Sequence, residues 1–135
     1  MDLMDSMHIS ASGMEAQQQR LKIVSENIAN ADSVGSRNGT QPYRRQTVTF
    51  KDELDRQTGA TMVKVAKIDT DKSDFAQRYE PGNPMADKDG YVLYPNVNPI
   101  MEAMDMREAK RGYEANLDVI DSSKTMLTNT INLLR

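Results

Sequence analysis

The sequence predicts an α+β chain, mainly α, in which long N- and C-terminal helices pair as a coiled coil around a small β-rich middle segment. Three observations predict it. Apolar residues recur with a heptad period at both ends. Four of the five prolines fall between those ends. The same central stretch holds the β-formers and the turn dipeptides. The expected organisation is a helix within residues 1–31, a linker and small β-rich region over 32–97, and a long helix within 98–135.

At the N-terminal end, Met7, Met14, Leu21 and Ile28 stand seven residues apart. Ser10, Gln17 and Val24 occupy the positions between them, so two of these three are polar. No proline interrupts the run, and Gly13 is its weak point, costing about 1 kcal/mol against alanine in a helix interior. The pattern fades at Asn30-Ala31-Asp32-Ser33 and Gly35, which predicts a helix over residues 5–31. Residues 32–40 read as a flexible linker. The middle then offers four short strands. Residues 43–50 alternate and carry Thr47, Val48, Thr49 and Phe50, and residues 62–68, 75–79 and 91–94 follow. Pro81-Gly82, Asn83-Pro84 and Asp89-Gly90 mark turns. Asn98-Pro99 is a start signal, with Asn as N-cap and Pro at the first helical position. From there the stripe Met106, Lys110, Tyr113, Leu117, Ile120, Lys124, Leu127, Ile131, Leu134 advances in alternating steps of four and three. A helix of that extent spans about 55 Å, and such a rod has to bury its stripe on something. The N-terminal stripe of Met7, Met14, Leu21, Val24 and Ile28 is the partner at hand.

Composition narrows the function. The chain has 135 residues, 38 % hydrophobic and 27 % charged, with no Trp, two Phe and ten Met, and its mean hydropathy is -0.68. A chain this size has to bury roughly two-thirds of its surface, and Met specifies a core poorly. These figures argue against a self-contained compact enzyme and for a chain that completes its core against partners. Cysteine is absent, which removes disulfides, a thiolate nucleophile and a Cys-ligated zinc site. A net charge of -3 gives no field toward nucleic acid. The longest apolar run is residues 91–94, far short of the roughly 20 residues of a membrane span. The first twenty residues show no apolar core of a secretory signal, so the expectation is cytoplasmic residence or export without a cleaved leader.

No constellation of catalytic residues stands out. His8, the single histidine, has no partner set for zinc or for a triad and reads as a packing or surface residue. Asp69, Asp71, Ser73 and Glu80 fall at positions 1, 3, 5 and 12 of a calcium loop, but Asp74 stands where the sharp turn needs glycine. A solvated acidic turn is the better reading. The stretch around Asp87-Lys88-Asp89-Gly90 fails in the same way, with Met85 and Asn96 at ligand positions. Arg44-Arg45 with Lys51 and Tyr43 is too small for a nucleic-acid groove and reads as a polar contact to a protein neighbour. Asn38-Gly39-Thr40 matches a glycosylation acceptor, a short pattern that arises often by chance. Asp52 and Glu53 lie in polar surroundings with nothing evident to shift their pKa. No phosphate loop, dinucleotide glycine motif or nucleophile elbow is present. The expectation is no enzyme, no cofactor, no metal, no small-molecule substrate, no nucleic acid and no membrane insertion. The two stripes fit either an ordinary helical hairpin or a coiled coil that also packs on other subunits. The polar members Ser10, Gln17, Lys110 and Lys124 weaken a stand-alone pair and favour the second.

The segments Ser10-Ala11-Ser12-Gly13-Met14, Ala16-Gln17 and Glu26-Asn27-Ile28-Ala29-Asn30-Ala31 resemble the N-terminal signature of the bacterial flagellar axial proteins, those of rod, hook and hook-associated parts. Pro42-Tyr43-Arg44-Arg45-Gln46, Tyr79-Glu80-Pro81-Gly82, Gly90 to Pro99, Arg111-Gly112-Tyr113-Glu114-Ala115-Asn116 and Lys124-Thr125-Met126-Leu127 narrow the resemblance to the proximal rod proteins. It runs nearly end to end. It departs at Met14, where an aliphatic is usual, and at Gln18 and Gln19, where Arg is usual nearby. The resemblance implies a structural subunit of the basal-body rod. Such a subunit is partly unfolded at both ends before assembly and passes uncleaved through the flagellar export apparatus. It polymerises helically with copies of itself and other rod subunits, contacts basal-body proteins, and lies in the periplasmic space as part of the hollow drive shaft. The rivals are another axial protein and a cytoplasmic coiled-coil adaptor or export chaperone.

Overall fold

A computed structural model describes residues 3–35, 41–56 and 58–134. The element order is α1 (Leu3–Ala29), β1 (Gln46–Leu54), β2 (Thr61–Thr70), β3 (Ala76–Tyr79), β4 (Tyr91–Tyr94) and α2 (Pro99–Leu133). This is the mainly helical α+β class expected, with two long helices and two small sheets between them. The Asn38-Gly39-Thr40 acceptor and the end of the linker lie outside the described residues.

Helix α1 ends two residues before the expected point. Ala31 N–H donates to Ile28 O at 3.2 Å, an i→i−3 bond that tightens the chain into a turn. Helix α2 starts where Asn98 caps it: its Oδ1 accepts from the Ile100 and Met101 amides at 3.1 and 3.4 Å. Each sheet has two strands, β1 with β2 and β3 with β4. Strand β1 begins later than the alternation predicts. The Arg45 and Gln46 amides donate instead to the side chains of Asn96 and Asn27, at 2.8 and 2.9 Å. In the antiparallel β3–β4 ladder Tyr79 faces Tyr91 and Ala76 faces Tyr94. The alternation across that ladder buries Val92 and leaves Tyr79, Tyr91 and Leu93 exposed. Its connecting turn closes with Glu80 N–H to Gly90 O at 2.8 Å. Gly90 sits at φ 84°, where a side chain is strained and where a Cβ would also meet the Tyr79 ring at 3.0 Å.

The chain forms two compact units, and both helices and the β1–β2 hairpin contribute to each. One comprises residues 1–21, 48–67 and 107–135, the other residues 22–47 and 68–106. In the first unit the buried side chains are Ser10, Ala16, Ala109 and Ser123. In the second they include Ile23, Val24, Ala31, Val92, Asn27 and Glu102. Both cores are small and partly polar.

Candidate assembly interface

In the first unit the two helices approach along small residues. A methyl added to Gly13 would stand 2.9 Å from Asn116 Nδ2, and one added to Gly112 would stand 3.2 Å from Gln17 Nε2. Arg20 and Glu108 then form an ion pair at 3.8 Å. Positions 13, 17 and 20 climb α1 by about a turn each while 116, 112 and 108 descend α2, so the helices run antiparallel there. Asn116 Nδ2 donates to Gly112 O at 2.8 Å, which holds the amide at the close approach. Gln17 Oε1 is a buried acceptor with no hydrogen-bond partner among the described residues. Ser12 Oγ donates to Ile9 O at 2.7 Å and accepts from the Val63 amide at 3.2 Å, tying β2 to α1.

The second unit is held by a polar network. Asn27 is fully buried and uses its whole bonding capacity. Its Nδ2 donates to Gln46 O at 2.9 Å and to Glu102 Oε2 at 3.0 Å. Its Oδ1 accepts from the Gln46 amide and the Tyr43 hydroxyl, both at 2.9 Å. Glu102, also fully buried, takes a charge-assisted bond from Arg45 Nε through its other oxygen. The Arg45 guanidinium further reaches Asp71 at 3.8 Å and Asp105 at 3.6 Å. Burial pushes the Tyr43 phenol above its ordinary pKa, and the Glu26 and Glu102 carboxylates add to this. Arg44 lies over the Phe75 ring at 4.3 Å and donates to Asp71 O and Ser73 O. The basic pair expected to meet a protein neighbour is thus engaged within its own chain.

The acidic positions of the calcium-like pattern have other partners. Asp71 accepts from the Ser73 amide at 2.9 Å. That bond and the Ser73 side chain, with Arg45 and Arg44, hold its carboxyl below the ordinary value. Glu80 accepts from Asn83 at 2.8 Å and from Tyr94, and these two bonds lower its pKa. Among the described residues no three such groups gather around a metal position. Glu53 corrects an expectation, because its carboxyl does have a perturber. Lys64 Nζ donates to it at 2.7 Å across the β1–β2 pair, and Lys51 lies 3.7 Å away, so its pKa falls.

The stripe residues are distributed unevenly. Val24 is buried, while Met7, Met14, Leu21, Ile28, Met106, Tyr113 and Ile120 are half-buried. Leu117 and Leu127 are 40 % exposed, Ile131 56 % and Leu134 83 %. Of the signature residues, Ser10, Asn27 and Pro42 are buried, Ser12, Gly13, Ile28, Asn30, Tyr43, Arg44 and Arg45 half-buried, and Ala11 and Ala29 exposed. Reading the heptads for large apolar residues missed Ala16, Ala109, Gly112 and Asn116. A three-residue recurrence of small side chains at 10, 13 and 16 and at 109 and 112 carries that signal. It also missed Glu102 and Asn96, for which no local pattern exists.

Comparison with known sequences agrees with this architecture at both ends. Residues 7–35 match the family described as flagella basal body rod protein. Residues 88–133 match the family described as flagellar basal body rod FlgEFG protein C-terminal. The chain is 54 % identical over 127 residues to the flagellar basal-body rod protein FlgC of Agrobacterium fabrum, covering 94 % of this chain and 91 % of that protein. It is 38 % identical to the FlgC proteins of Salmonella typhimurium, with 98 % of each chain covered, and of Borreliella burgdorferi, with 100 % of this chain and 99 % of that one covered. With relatives this similar over nearly their whole length, the chain belongs to the FlgC family of flagellar basal-body rod proteins and is a structural rod subunit.

Proposed function

We propose that this chain polymerises helically, with copies of itself and with other rod subunits, into a hollow shaft that crosses the periplasmic space. The observation that carries the reading is the apolar surface left open along α2. Leu117, Met126, Leu127, Ile131 and Leu133 are between 40 and 88 % exposed on a helix of 35 residues, and Leu134 just beyond its end is 83 % exposed. Burying one such side chain stabilises by about 1.5–3 kcal/mol, so neighbouring subunits supply what the small cores lack. Folding is then linked to assembly by mass action. Contacts between different faces of identical copies generate an open helix rather than a closed ring.

The helices within residues 1–31 and 98–135 form the coiled-coil core of the shaft in this reading, and residues 32–97 form its β-rich part. The stripe members Met7, Met14, Leu21, Val24, Ile28, Met106, Tyr113, Leu117, Ile120, Leu127, Ile131 and Leu134 divide between pairing within the chain and contact between chains. Delivery through the flagellar export apparatus accords with small cores that neighbouring subunits complete on assembly. The role is mechanical and not enzymatic.

The test is Ile131→Asp, alone and with Leu127→Asp, in a strain lacking the native copy. Both side chains are solvent-exposed in the single chain, so its fold and expression are expected to be unchanged. Rods are expected to be absent and the cells non-motile. A motile strain carrying Ile131→Asp, with washed hook–basal bodies that contain the variant chain, overturns the reading.

A further inference from the structure

We infer that Glu102, with Asn27 and Arg45, is the positioning residue that sets the register of α1 against α2 in the second unit. The inference deepens the proposed function by naming what fixes helix pairing, and it rests on that reading only for its consequence in assembly.

A polar site this deep is costly to bury. Asn27 and Glu102 are both fully buried, Glu102 forms an ion pair with the half-buried Arg45, and a buried ion pair is seldom more stabilising than an apolar contact of the same shape. The best-attested use of such a pair is to make one register acceptable and its neighbours unacceptable. The sequence around it has that property. A slip of one turn along α1 brings Ile23 or Ala31 to the place of Asn27. A slip of one turn along α2 brings Asn98 or Met106 to the place of Glu102. In each case a buried carboxylate or amide loses its partner, whereas the aliphatic neighbours Ile23 and Val24 would pack about as well one turn away.

The site also carries more than two helices. Asn27 bonds both the amide and the carbonyl of Gln46, and Arg45 bonds Glu102 through its side chain and Asn96 through its amide. Asn96 Nδ2 donates to Asp71 O and Ser73 Oγ at 3.1 and 2.9 Å. The start of β1, the chain after β2 and the entry to α2 therefore take their places only when Glu102 is opposite Asn27.

The test exploits the absence of native cysteine. Spin labels on Ser25→Cys and Ala103→Cys, both exposed positions of the second unit, report the distance between the helices in the full-length chain by pulsed electron resonance. The parent is expected to give one narrow distance. The triple substitution Asn27→Leu, Arg45→Met, Glu102→Leu removes the polar contact between the helices and also releases the Gln46 amide and carbonyl and the Tyr43 hydroxyl from Asn27. It is expected to keep the helices by circular dichroism and to add a second, resolved distance, as one helix slips by a turn, about 6 Å along its axis. A triple variant that keeps the single parental distance overturns the inference. Loss of helix in the triple variant also overturns it, because the network would then supply stability and not register. A parent with several distances overturns it as well. Motility is not the readout, so failure of the rod reading and failure of this inference are separately visible.

Discussion

Gly13 shows how much one missing methyl decides. Mid-helix glycine costs about 1 kcal/mol against alanine, yet the position is closed by Asn116, whose amide a Cβ would meet at 2.9 Å. The amide cannot simply swing aside, because it donates to Gly112 O. Overpacking of this kind costs about 1–3 kcal/mol, so Gly13→Ala is expected to destabilise by about 1 kcal/mol after the propensity gain. In an Asn116→Ala background the same substitution is expected to stabilise. The sign change, measured by urea unfolding of the four members of the cycle, is the result that checks the close approach. Two substitutions of the same sign in both backgrounds would show that Asn116 does not close the site.

Helix α2 is the element most independent of its surroundings. Its start is local chemistry: Asn98 supplies the cap and Pro99 begins the first turn with its φ already set. Asn98→Ala is expected to cost about 1 kcal/mol, with the loss of amide protection confined by hydrogen exchange to the first turn of α2. Protection lost evenly along the helix would show instead that the cap nucleates the whole element. The small sheets are the opposite case. A two-stranded ribbon is marginal by itself, and no residue of β1 or β2 is fully buried. Their placement comes from side chains of other elements, among them Ser12 on β2 and Asn27 on β1.

For the molecule as a whole, stability is expected to depend on pH at both ends of the range. Asp71 titrates below its ordinary value in the folded chain because of Ser73 and then Arg45 and Arg44. Its contribution is complete above the usual carboxylate range and is lost as pH falls through the lowered value, below about pH 4. Tyr43 titrates above its ordinary value because of burial and then Glu26 and Glu102. Its contribution is complete below the usual phenol range and is lost as pH rises past about 10 through the raised value. Urea midpoints followed from pH 3 to pH 11 are expected to show a plateau with a fall at each side. Tyr43→Phe is expected to flatten the alkaline fall, and Asp71→Asn the acid one. An unchanged alkaline limb in Tyr43→Phe would place its origin elsewhere, in Tyr94 or Lys64, which Glu80 and Glu53 respectively hold above their ordinary values.

The sequence by itself determined the two long helices, the four strands between them and the cap at Asn98, because each follows from short-range rules: periodicity, proline placement and turn chemistry. It determined the family too, since its signatures at Ser10–Gly13, Asn27–Asn30 and Tyr43–Arg45 are contiguous along the chain. Only the tertiary structure decided what those signature residues do. The heptads marked large side chains, but the close approach of the helices in the first unit follows Gly13, Gln17, Gly112 and Asn116, since backbones come nearest where side chains are smallest. Nothing within ten residues of Glu102 foretells that it is the buried carboxylate of the second unit. Its partners Asn27 and Arg45 stand 75 and 57 positions away, and a contact of that separation exists only once the chain has folded.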